Sequence, residues 1–252
     1  MAYRFATERA DYSDYAGGQF FYAMPGHPAL PIRLASELLQ RCLAIRQARR
    51  QTTPCRLYDP CCGGAYHLAT LAFLHWHAIT EIVASDIDEQ ALELAARNLS
   101  LLTQEGFARR RAEVAELLAA HGKESHRATL EIADRLQPRL RQNLRTHPIA
   151  VRLFRADATD GARLSTELRD SPADVVLTDL PYGRQATWQI DAPVESAESP
   201  LWRMLEALRG VAQPSTLVAI VADKRQKIAH PQYRRVEYFR AGKRQATILE
   251  PL

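Results

Sequence analysis

The sequence predicts an α/β protein: a doubly wound, mainly parallel seven-stranded sheet with an antiparallel C-terminal hairpin and an inserted pair of helices. Three observations predict it. Short apolar runs alternate with stretches of helical periodicity along most of the chain, acidic residues stand at the ends of four such runs, and a glycine pair follows the first of them.

The elements follow in order. Residues 30–48 read as a helix, with Leu34, Leu38, Cys42 and Ile45 on one stripe and Pro31 in the first turn. A strand tail at 56–58 runs into Asp59-Pro60-Cys61-Cys62-Gly63-Gly64 and a helix at 65–77. The strand at 81–84 is followed by Asp86-Ile87-Asp88 and a helix at 89–102, for which Asp88 is the expected cap. Further strands are expected at 151–154 and 174–178, the second closing on Asp179-Leu180-Pro181-Tyr182-Gly183. A polar loop at 191–200 precedes a helix at 201–211 and a strand at 217–221, and 236–239 with 246–249 form the terminal hairpin. Residues 105–147 break the alternation as two amphipathic helices, 109–121 and 125–144, and are read as an insertion. The whole of 1–252 is expected to be one domain with an N-terminal extension over 1–55, because no Gly/Ser/Pro-rich linker separates a second core.

With 46% hydrophobic and 25% charged residues the chain is neither disordered, collagen-like nor a disulfide scaffold. No apolar run approaches the roughly 18 residues of a membrane span, and the polar, mixed-charge start resembles neither a secretory signal nor a transit peptide. Four cysteines without a C-x-x-C pair fit reduced thiols, so a cytoplasmic, membrane-free location is expected. The net charge of +4 hides a pattern. Residues 1–56, 105–147 and 201–252 carry 8, 9 and 10 basic against 4, 6 and 4 acidic side chains, whereas 57–104 and 148–200 carry 1 and 5 against 6 and 9. Basic segments therefore flank acidic ones.

Asp59, Asp86, Asp157 and Asp179 stand at or just past strand ends, where an open α/β sheet forms its ligand crevice. Gly63 and Gly64 let backbone approach a ligand, and Asp86 lies 23 residues after Gly63, close to the spacing of about 20 expected for a carboxylate on ribose hydroxyls. The loop lacks the G-x-G-x-x-G that a dinucleotide pyrophosphate requires. The cationic S-adenosylmethionine suits its acidic surroundings better.

Asp179-Leu180-Pro181-Tyr182 is the most specific signal. A carboxylate and the Leu180 carbonyl can accept two N–H bonds from a planar group, while Tyr182 stacks on it, so the catalytic set is Asp179, Leu180, Pro181 and Tyr182. A base held this way must be unpaired or flipped out. His75-Trp76-His77 lies on a helix with its histidines on different sides, and Cys61-Cys62 is read as structural, so no metal and no cysteine nucleophile are expected.

These segments, Leu57-Tyr58-Asp59-Pro60-Cys61-Cys62-Gly63-Gly64, Ala84-Ser85-Asp86-Ile87-Asp88 and Val176 to Gly183, resemble the D-P-x-C-G-S-G, s-D-i-D and (N/D)-P-P-Y motifs of Rossmann-like class I S-adenosylmethionine-dependent methyltransferases that modify exocyclic amines in RNA. With His27-Pro28-Ala29-Leu30-Pro31 and the arginine-rich insertion, the chain resembles along its length the avilamycin-resistance family of 23S ribosomal RNA guanine methyltransferases. The resemblance implies orthosomycin resistance through methylation of 23S RNA or the large ribosomal subunit. It also implies that Asp59, Cys62, Gly63 and Gly64 line the methionine part of the cofactor, Asp86 with Ile87 the ribose, and Asp157 with Ala158 the adenine. Four departures stand out: Leu180 for the first proline, Asp179 for the commoner Asn, Gly64 for Ser, and Ala65 for the last glycine. They imply a less rigid clamp and a wider loop. The acceptor is guanine N2 or a ring nitrogen, with N2 fitting the clamp best.

Arg46, Arg49, Arg50, Arg109, Arg110, Arg111, Arg139 and Arg145 are the expected phosphate contacts. Two other readings share these features: a methyltransferase of protein glutamine amides or small molecules, and a noncatalytic RNA-binding protein.

Overall fold

Seven strands form one sheet in the order β3-β2-β1-β4-β5-β7-β6 in a computed structural model that describes residues 3–8, 10–23, 29–169, 171–180, 188–190 and 198–252. The strands are β1 (Cys55–Asp59), β2 (Ile79–Asp86), β3 (Ala150–Arg155), β4 (Val175–Asp179), β5 (Leu217–Asp223), β6 (Tyr233–Ala241) and β7 (Arg244–Pro251). Strands β1 to β5 pair in parallel, and β7 runs antiparallel to both β5 and β6. The antiparallel strand is therefore inside the sheet, and β6, parallel to β5, is the edge. The sheet reverses direction of growth between β1 and β4, which opens a crevice at their carboxyl ends.

Both faces are covered, as the apolar runs require. Along β4, Val175 and Leu177 enter one buried cluster with α1 (Ile32–Ala48), α2 (Tyr66–His75) and α3 (Glu89–Ser100). Val176 enters the other, with α6 (Gly161–Leu168) and α7 (Pro200–Arg209). Helix α6 was not expected. It is eight residues long, and Asp160 caps it by accepting from Arg163 N at 3.0 Å. Asp88 caps α3 as expected, accepting from Gln90 N at 2.8 Å.

The two inserted helices are α4 (Gln104–His121) and α5 (Glu124–Thr146). Helix α4 starts tight against the end of α3: a Cβ on Gly106 would lie 2.0 Å from Ser100 O, so glycine is required there. Phe107 meets Phe20 with ring centroids 4.5 Å apart, and Ile132, Ala133, Leu136 and Leu140 give α5 its buried stripe. The insertion thereby holds the N-terminal segment down. Arg110 donates to Phe20 O at 3.0 Å and Gln19 O at 2.7 Å, Arg135 to Asp14 at 2.6 Å and Arg139 to the Tyr15 hydroxyl at 2.8 Å. No described helix is long and apolar enough to cross a membrane.

Candidate active site

Asp59, Asp86 and Asp179 close β1, β2 and β4 at the same end of the sheet, and Asp157 follows β3 there. The carboxylates do different work. Asp59 is fully buried: Oδ1 accepts from Cys61 N at 2.9 Å, and Oδ2 lies 2.8 Å from His67 Nε2. Oδ1 serves the loop, while Oδ2 faces His67 at ion-pair distance without a hydrogen bond among the described residues, so Asp59 adds negative charge to the crevice from a fully buried position. His67, in the first turn of α2, was missed from sequence. The eight-residue step from Asp59 is its only signal.

Asp86 accepts from Gly63 N at 2.7 Å and from Asp88 N at 3.1 Å, which ties the glycine loop to the end of β2. Burial raises its pKa despite these two bonds, and the Asp59 charge adds to the rise. Each oxygen keeps a lone pair for a ligand hydroxyl. Ile87 is half-buried, with its carbonyl accepting from Arg155 Nε at 3.1 Å. Asp157 folds the turn after β3 by accepting from Thr159 N and Oγ1, both at 2.8 Å, and Ala158 is buried in the second cluster.

The glycine loop shows how the departures from the motif are absorbed. Gly63 (φ 52°) and Ala65 (φ 51°) both take left-handed backbone, so Ala65 holds a conformation that the glycine usual there adopts freely. A Cβ on Gly64 would lie 2.7 Å from Leu94 Cδ2: that methyl fills the space a serine would use. Asn98 amide nitrogen donates to Gly64 O at 2.8 Å and to Tyr22 O at 3.0 Å, joining the loop to the N-terminal segment. The Cys61 and Cys62 thiols are pushed well up by burial and by the Asp59 and Asp86 charges, which keeps both protonated.

Asp179 carries the sharpest anomaly. Its Oδ1 is buried with no hydrogen-bond partner among the described residues. Burial pushes its pKa up to about 6, against the pull of Arg244 and His67 and with the push of Asp59. The next residue is tied into the sheet: Leu180 N donates to Val221 O at 2.9 Å, a bond proline cannot make, and its side chain is 1% exposed. Pro181 and Tyr182 lie outside the described residues.

The arginines divide. Arg46 is 3% exposed and paired with Asp174 at 2.6 Å, so it is a structural ion pair and not a phosphate contact. Arg49 pairs with Glu250, and it and exposed Arg50 sit with Arg46 at the amino end of the sheet, away from the crevice. Arg110 is spent on the N-terminal segment and on Tyr22, whose ring lies 4.2 Å from its guanidinium. Arg111 pairs with Asp134 at 3.0 Å, Arg139 is exposed and holds Tyr15, and Arg109 and Arg145 are exposed on α4 and α5. His75 Nε2 lies 2.9 Å from Ser36 Oγ and burial lowers its pKa to about 4, a packed imidazole.

The chain matches the rRNA methyltransferase AviRa family over residues 1–244. The chain belongs to that family. A curated relative from Streptomyces viridochromogenes is 39% identical over 248 residues, 98% of this chain and 95% of its own, and is named 23S rRNA (guanine(2535)-N(1))-methyltransferase. That name gives ring N1, where the clamp read from sequence favours exocyclic N2. The 1.5 Å structure of the rRNA methyltransferase aviRa from the same organism superposes with a TM-score of 0.86 at 36% identity, covering 99% of this chain and 96% of that one. TrmN from Thermus thermophilus, at 19% identity and a TM-score of 0.50 over 90% of this chain and 50% of its own, shares the fold. Membership of the AviRa family thus agrees with the seven-stranded sheet and its antiparallel C-terminal strand.

Proposed function

We propose that this chain methylates ring N1 of a guanine in 23S ribosomal RNA, using S-adenosylmethionine, in the cytoplasm of a bacterium that thereby resists avilamycin-type antibiotics. The observation that carries the reading is the buried, unpartnered Oδ1 of Asp179 with its raised pKa. Guanine N1 carries a proton at neutral pH and has no lone pair to offer, so a base must take that proton. A carboxylate does this; the asparagine usual in amine methyltransferases does not. The departure at Asp179 therefore suits N1 better than N2.

The cofactor suits the residues present. The Asp59 charge raises the proton affinity of both Asp86 and Asp179, and a cationic ligand relieves that repulsion. When bound, S-adenosylmethionine supplies a methyl group already activated on a sulfonium. Asp86 would hold the ribose hydroxyls, Gly63 and Gly64 would let backbone approach the methionine part, and Asp157 with Ala158 would border the adenine. Asp179 would take the N1 proton and later release it to water, while the Leu180 carbonyl accepts from the neighbouring exocyclic amine. Rate would come mainly from holding base and methyl donor together.

The test incubates the protein with methyl-labelled S-adenosylmethionine and either 23S RNA or large subunits, then locates the label by digestion. Label in 1-methylguanosine is expected. Asp86→Ala is expected to weaken cofactor binding in calorimetry. Label in N2-methylguanosine overturns the assignment of Asp179 as base; label in protein, or RNA binding without cofactor binding, overturns the whole reading.

A further inference from the structure

Three of the four lysines in a chain with 29 arginines, Lys224, Lys227 and Lys243, lie on the turn after β5 and on the β6–β7 hairpin. Because β6 runs parallel to β5, the turn and the hairpin both stand at the carboxyl end of the sheet. They are one element from Asp179: β5 pairs with β4 through Val221 and Asp179, and with β7 through Asp223 and Arg244. Lys224 N donates to Lys243 O at 3.0 Å, which fixes turn and hairpin together. Lys224, Arg225, Lys227, Arg240 and Lys243 are exposed, with no carboxylate in salt-bridge reach among the described residues. The acids nearby face elsewhere: Asp223 accepts from Arg225 N at 2.9 Å, and Glu237 pairs with Arg41 on the α1 face.

An aromatic ring completes the patch. Tyr238 is 40% exposed, and the guanidinium groups of Arg235 and Arg240 lie 5.5 and 6.0 Å from its centroid. Arg240 Nε also donates to its hydroxyl at 2.6 Å, which orients the ring. Phe239 and Glu237 turn to the α1 face, so Tyr238 and Arg240 project from the other. Exposed cations around a steadied, half-open ring are the chemistry that holds an unpaired nucleotide: the base stacks and the phosphates meet the cations.

We propose that this rim docks the unpaired RNA strand flanking the target base, with a base on Tyr238 and phosphates on Lys224, Arg240 and Lys243. The inference rests on the reading of Asp179 as the acceptor site for an RNA base. The opposing account is that the charges merely guard an exposed edge strand against pairing. Binding of the full chain to a 23S RNA transcript is measured across salt concentrations, alongside KM and kcat for methyl transfer, for Tyr238→Ala, Tyr238→Phe and the double variant Lys224→Glu with Lys243→Glu. Tyr238→Ala is expected to raise KM for RNA roughly tenfold with kcat kept, and Tyr238→Phe to restore it. The double variant is expected to flatten the log–log salt dependence by about 1.4, two phosphate contacts on a single strand. Cofactor affinity stays as it was in each. Unchanged KM and unchanged slope in these variants overturn the rim. Should the double variant fail to fold, Lys224→Gln with Lys243→Gln carries the same test. Failure of the Asp179 reading is separate, since it shows as the wrong methylated product while RNA binding still responds to the rim.

Discussion

At the amino end of the sheet Arg46 meets Asp174 at 2.6 Å, Arg56 meets Glu81 at 2.6 Å, and Arg49 and Arg234 share Glu250, whereas at the carboxyl end the Asp59 charge pushes on Asp86 and Asp179 beside lysines that have no carboxylate in salt-bridge reach among the described residues. The same residue types thus do opposite things. Where cation and carboxylate meet within the chain, they order strand ends and leave nothing to offer. Where they are kept apart, Asp86 and Asp179 in the crevice and cations on its rim, each remains available to something outside. The distribution along the sequence, acidic segments between basic ones, is the linear trace of the second arrangement but does not separate it from the first.

Removing the base is the strongest way to break the comparison. Asp179→Asn is expected to lower kcat by about 10²–10⁴ at saturating cofactor. It should also stabilise the fold above pH 7 by about 1–3 kcal/mol, read from urea midpoints. The sign follows from the pKa, raised from 3.8 to about 6. A carboxyl with the higher value in the folded state favours folding while protonated, fully below the unfolded value, and loses that contribution as pH climbs through 6. The stabilisation by Asn should therefore vanish near pH 4. Wild-type transfer should rise as pH passes about 6; a flat profile there would argue against Asp179 as base.

The amino end responds in the other currency. Arg46→Ala leaves Asp174 without its buried partner and is expected to cost about 2–4 kcal/mol of stability. Its RNA affinity at a temperature where it stays folded should match wild type. A changed salt slope would mean that this end meets RNA after all. The smallest effect sharpens the boundary between the two ends: Ala65→Gly relieves left-handed backbone at the start of α2 and is expected to add about 0.5–1 kcal/mol in thermal or urea unfolding. Loss of stability there would show that the alanine methyl packs better than the backbone suffers.

How much of the site was legible follows from the kind of signal each residue leaves. Asp86 was found by its spacing from Gly63, and the structure puts the two in one hydrogen bond. Asp179 was found as part of a clamp, but its unpartnered oxygen and raised pKa depend on what β5, β7 and α2 place around it. His67 left no pattern because its partner is eight residues away through a loop, and Leu180 read as a weakened proline when it is an added sheet bond. The arginines misled most. Arg46 and Arg109 look alike in sequence, yet one is buried in an ion pair and the other is on a helix surface.

The sequence by itself determined the strands, every helix of the sheet's two layers except α6, the order of the carboxylates along the crevice and the glycine loop, because periodicity and turn chemistry act over a few residues. Tertiary structure decided which charges are spent and which are kept. Ion pairs form between residues as far apart as Arg49 and Glu250, and the lysine rim exists because the C-terminal hairpin inserts β7 beside β5 and brings residues 224 and 243 together. Burial and proximity across the fold set proton affinity and availability, and neither is written in any local stretch of chain.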